Sequence, residues 1–104
     1  MARLLTTQGN EMTHIDDPLR RFLNEQVVLD TATPILYIGT LTEITESVFV
    51  LEGADMHDCR DGHANKEKYL VEAHRDGVAV NRQNVVVMRS IVISVSRLVD
   101  VLAE

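Results

Sequence analysis

Residues 55 to 63, Asp-Met-His-Asp-Cys-Arg-Asp-Gly-His, gather Asp55, His57, Asp58, Cys59, Asp61 and His63 in one short run. Carboxylates, imidazoles and a thiol are the ordinary ligands of divalent metals, and a thiol beside an imidazole is the raw material of nucleophilic catalysis. The spacing argues against both uses. Zinc sites show separated pairs of Cys or His, and calcium loops need a Gly-centred oxygen pattern that this run lacks. Adjacency in sequence does not place a base on Cys59, and nothing marks the third group that would orient such a base. The expectation is a polar loop carrying a free thiol, with no catalytic residue, no metal and no cofactor.

A second feature is Asn-Val-Val-Val-Met-Arg-Ser-Ile-Val-Ile-Ser-Val-Ser, residues 84 to 96, a branched apolar run broken near its middle by Arg89 and Ser90. A guanidinium does not belong inside one long buried strand. The break predicts two strands meeting at a tight corner, Val85 to Met88 and then a half-exposed strand around Ile91, Ile93 and Val95, with Arg89 held where they join. A guanidinium there can stack on a base or bind phosphate; the structural alternative is that it pairs with a carboxylate and pins the corner. The polar segment before it, Val80 to Asn84, reads as a turn.

The elements that must position these residues are mostly strands. Asp17 caps a short amphipathic helix with Pro18 in its first turn and Leu19, Phe22, Leu23 and Gln26 on one face. Val27 to Thr31 is a strand ended by the turn at Pro34. A longer strand runs from Ile35 with Gly39 in its middle, where a glycine marks a bulge or sharp bend. A third strand, from Val48 to Asp58, is expected to fray near Gly53. Residues 66 to 77 are ambiguous: Tyr69, Val71 and Ala73 alternate as a strand would, whereas Leu70, Ala73 and His74 share a helical face. Asn65 as a cap and Gly77 as a stop favour the helix. The last residues, from Arg97 on, either extend the final strand or form a short closing turn. Residues 1 to 16 read as a loosely ordered leader and 17 to 104 as one domain.

Composition agrees with a small β domain. The chain has 104 residues, 45% apolar, with no Trp, two Phe and two Tyr, so its core must be built from Val, Ile and Leu, which favour strands. A formal net charge of -6 weakens any scheme in which the whole surface attracts phosphate, leaving only a local basic patch for that purpose. One cysteine allows no intramolecular disulfide, no apolar run is long enough for a membrane span, and no signal peptide is evident; a cytoplasmic protein with no membrane partner is expected.

The order of helix, three strands, insertion and two strands, together with the Arg corner, resembles the Sm and Sm-like (LSm) family over roughly Asp17 to Leu98. Two motifs carry the resemblance. Tyr-Ile-Gly-Thr-Leu supplies Gly39 and Leu41 of the first, and Met-Arg-Ser-Ile-Val-Ile supplies Met88, Arg89, Ser90 and Ile93 of the second. The resemblance implies a mainly β fold: a small, strongly bent five-stranded antiparallel barrel with an N-terminal helix and a helical insertion between strands three and four. It also implies a non-enzymatic homo-oligomeric ring, strand four of one copy paired with strand five of the next, holding single-stranded RNA through Arg89, Ser90 and Ser47.

The sequence departs from the family in two places. Where the family's first motif carries an Asp and the Asn that reads a uracil edge, Thr45 or Glu46 and Ser47 or Val48 stand here, and Ser90 replaces a corner Gly. These departures put the uridine pocket in doubt, and a change from Gly to Ser would strain any backbone angle that only Gly adopts easily. With the acidic charge, they favour an alternative in which the ring is a protein-interaction scaffold without nucleic acid.

Overall fold

The computed structural model describes residues 17 to 60 and 65 to 102; the leader expected over residues 1 to 16 lies outside them, as do Asp61 and His63. One five-stranded antiparallel sheet, in the order β4-β3-β2-β1-β5, makes up most of the molecule. Its strands are β1 Gln26–Thr31, β2 Ile35–Ile44, β3 Val48–Asp58, β4 Arg82–Met88 and β5 Val92–Arg97. Among the described residues a single α-helix, α1 Lys66–Asp76, is inserted between β3 and β4.

The expected N-terminal helix is one short 3-10 segment, Pro18–Phe22, rather than an α-helix. Asp17 caps it by accepting the Leu19 amide at 2.9 Å, and Leu19, Phe22 and Leu23 pack on the barrel core. The chain leaves this cap through Asn24 at φ 67, among the described residues the one non-glycine residue in the left-handed region, which Asn tolerates better than most residues.

The sheet must curl. Four strand spacings of ~4.8 Å would hold the outer strands roughly 19 Å apart in a flat sheet, yet β4 and β5 are joined by the three residues Arg89–Ile91, which reach roughly 14 Å from Met88 to Val92 even fully stretched. Irregularities in pairing supply the bend. Between β2 and β3 the register slips twice, between Ile38 and Thr40 and between Leu41 and Glu43. At the first slip Gly53 takes φ 57, so β3 bulges there and continues to Asp58 instead of fraying. A further shift between β1 and β5 follows Asp30. Each extra residue increases local twist and turns the strand.

Two apolar layers lie on opposite faces of the sheet. Inside the curl, Val27, Leu29, Leu41, Phe49, Leu51, Ala54 and Val87 form the main core. On the outside, Val28, Leu36 and Ile38 are covered by Ala73 of α1 and by Leu98. Strand β1 is thus buried on both faces, which explains its unbroken Val-Val-Leu. Fully buried leucines at 29, 36, 41 and 51 contribute about 1.5–3 kcal/mol each.

Helix α1 resolves the ambiguous segment. Asn65 accepts the Lys68 amide at 2.9 Å, and Gly77, at φ 95, ends the helix. Of the expected face, Leu70 and Ala73 pack inward, joined by Tyr69, while His74 is exposed. Lys66, placed against the helix dipole, is compensated by three acceptors, since its Nζ donates to Asp30 Oδ1 at 2.7 Å and to the carbonyls of Thr31 and Thr33 at 3.0 and 2.7 Å. The segment Val80 to Asn84 is not the expected turn: Val80 and Asn81 are irregular, and from Arg82 it is strand, with Asn84 opposite Glu52. Arg82, Gln83 and Asn84 are exposed, which suits their polar side chains. After β5 the chain makes the closing turn Leu98–Asp100. Among the described residues, no helix is long and apolar enough to cross a membrane.

Candidate nucleic-acid interface

The β2-β3 turn is organised by Thr45. Its hydroxyl oxygen accepts the amides of Ser47 and Val48 at 3.1 and 3.0 Å, and its own amide donates to the Val48 carbonyl at 3.0 Å. A side chain that satisfies two turn amides fixes the loop without glycine. The outward carbonyls of this turn meet the β4-β5 corner: the Arg89 amide donates to Ser47 O at 2.8 Å, and Arg89 Nη1 donates to Thr45 O at 2.7 Å. The guanidinium carbon lies 5.2 Å from the centre of the Phe49 ring, within cation-π range.

Arg89 and Ser47, 42 positions apart in sequence, are therefore neighbours. Ser90 lies beside them, exposed. The expected carboxylate partner of Arg89 is replaced by a main-chain carbonyl and an aromatic face. That difference matters chemically: a carbonyl accepts one hydrogen bond without neutralising the cation, so the guanidinium keeps its charge and further donors. The strain anticipated at Ser90 is absent, because the corner is a 3-10 turn and Ser90 has no positive φ.

Of the two residues weighed for the motif Asn position, Ser47 is exposed in the turn and Val48 is half-buried in β3. Phe49 was missed as a site residue; an aromatic two positions after Ser47 was the available signal. Arg89, Leu19, Phe49, Val92 and Ile93 line an open groove of about 230 Å³ along the free edge of β5.

The described residues of the Asp-His run serve separate structural tasks. Asp55, 2% exposed on the outer face of β3, accepts the Tyr69 hydroxyl of α1 and, at 3.1 Å, the side-chain amide of Asn81. Asn81 Oδ1 in turn accepts the Met56 amide at 3.0 Å. His57 stacks on Tyr69 with ring centres 3.7 Å apart. Burial, and secondly the hydrogen bond to Asp55, push the Tyr69 phenol well above its ordinary range. Asp58 chelates Arg60, whose side-chain and then backbone hydrogen bonds hold the Asp58 carboxyl down to about 2. Burial raises the Cys59 thiol, which keeps it protonated and poorly nucleophilic at neutral pH. Asp55 and His57 fasten the inserted helix to the sheet through Tyr69.

No protein-family model matches the sequence, and no curated protein matches it. Among solved structures the chain is similar to the Sm protein of Pyrococcus abyssii, determined in complex with a uridine heptamer. The TM-score is 0.53 at 19% identity, covering 78% of this chain and 93% of that one. At such identity a likeness speaks for architecture, and the architecture of this chain is the Sm-like fold.

Proposed function

We propose that the chain is a non-enzymatic binding module that assembles into a homo-oligomeric ring through β4-β5 pairing and holds single-stranded RNA at Arg89, Ser90 and Ser47. The observation carrying this reading is the Arg89 guanidinium, fixed on the Thr45 carbonyl and the Phe49 face while keeping its charge. The solved neighbour's uridine heptamer supports the ligand class. The assembly is supported by the two sheet edges that β4 and β5 leave unpaired among the described residues of one copy, since exposed edges invite further strands.

Titration of U-rich and A-rich oligonucleotides against the intact chain, at several salt concentrations, tests the ligand. Binding weakens with salt, and Arg89→Ala weakens it further and lowers the salt slope by about 1. Arg89→Lys, which keeps the charge but loses the planar fork, separates phosphate contact from stacking. Binding that is absent, or insensitive to salt, retires the RNA reading.

A second reading, a protein-interaction ring without nucleic acid, is favoured by the net charge of -6 and by the lack of a side-chain amide at Ser47 and Val48. Protein partners that stay bound after nuclease treatment, with no oligonucleotide binding, select it over the first.

A further inference from the structure

The large apolar side chains that are exposed among the described residues are not scattered. Val80, Val86 and Met88 lie on β4 or just before it, and Ile93, Val99 and Leu102 lie on β5 or just after it. Ile93 is 65% and Leu102 86% exposed. Half of these residues fall within the two free strands, where pairing between copies would cover them. Val80, Val99 and Leu102 fall beyond the strand ends, where a β ladder alone would leave them in water.

Antiparallel geometry brings these outlying residues together. When β4 of one copy pairs with β5 of the next, the start of β4 lies beside the end of β5. Two registers use every residue of β5. One sets Arg82 directly opposite Arg97, a like-charge pair that is disfavoured. The other sets Met88 opposite Val92 and Gln83 opposite Arg97, so that Arg82 and Val80 run past the end of β5 beside the closing turn Leu98–Asp100. In that register Arg82 is one residue beyond the paired end of β5, next to the turn that carries Asp100. Arg82 donates to the carbonyl of its own neighbour Asn81 and pairs with no carboxylate of its own chain among the described residues. Asp100 is bound at its own Arg97 and retains acceptor positions.

Resting on the ring reading, we propose that the contact between copies extends past the ladder into a second seam, in which Val80 and Arg82 of one copy meet Val99, Asp100 and Leu102 of the next. The occupant of these exposed ends is a second copy of this chain, chosen by the match of apolar residues and by the opposite charges of Arg82 and Asp100. The seam fixes the register by rejecting the Arg82-Arg97 alignment.

The test is a charge exchange read by sedimentation velocity and native mass spectrometry on the full chain. Arg82→Glu and Asp100→Arg each raise the concentration at half-assembly by about tenfold, and the double variant returns it close to the parent value. Val80→Asp raises it without rescue, and serves if a charge variant does not fold. Parent and single variants that assemble alike, or a double variant that is not restored, overturn the seam and leave ladder pairing intact. A parent chain that stays single at high concentration removes the ring reading itself, and the seam with it.

Discussion

Arg89 shows how one residue can serve a corner and keep its chemistry. Its amide and guanidinium each bind a carbonyl of the β2-β3 turn, so the turn supplies only main-chain acceptors to the junction. Tyr69 is the contrasting case, a residue whose chemistry is spent on structure. Its hydroxyl satisfies the buried Asp55, so Tyr69→Phe leaves that carboxyl short of a donor and lowers stability by about 1–3 kcal/mol in urea unfolding. The pH dependence has a definite sign. A phenol raised in the folded state contributes stability that is whole below the unfolded value of about 10 and is lost as pH climbs past it toward the folded value. Unfolding midpoints followed into the alkaline range therefore fall more steeply for the parent than for Tyr69→Phe; parallel curves contradict the assignment.

At the scale of elements, the bend of β2 against β3 depends on Gly39. A Cβ there would lie 3.0 Å from both Cα and Cβ of Ala54, backbone contact that no rotamer relieves. Gly39→Val costs about 1–3 kcal/mol, seen as a lower urea midpoint; an unchanged midpoint means the strands can part without loss. Gly39 was legible as a bend because glycine interrupts an alternating run. The start of β3 was legible from Glu46-Ser47, but Gly53 read as fraying where the structure has a bulge that carries the strand on to Asp58. Strand β4 was only half legible: Arg82, Gln83 and Asn84 sit on an exposed edge strand, and a polar strand start has the composition of a turn. The outer layer was hidden, since Asp55, Tyr69 and Asn81 are brought together across 14 and 26 positions and no local pattern announces such a contact. Of the candidate site, Arg89 stood out by its charge, but its nearness to Ser47 is a contact across 42 positions that no local pattern announces.

Across the whole molecule, the insertion of α1 changes what kind of barrel this is. The curl has its own core, and the helix with the closing turn adds a second layer over β1 and β2. Strand β1 is hydrogen-bonded to β2 on one side and β5 on the other, with Val27, Val28 and Leu29 at most 2% exposed. Solvent has no route to these amides short of dismantling both layers together. In deuterium oxide the amides of Val27 to Leu29 are expected to trade their protons last, at a rate set by global unfolding, while those along the outer side of β4 trade early in a single copy and slow down as copies associate. Mass-resolved exchange at low and high protein concentration reads both behaviours in one experiment, and a β1 that labels as fast as β4 would show that the helix lifts off on its own.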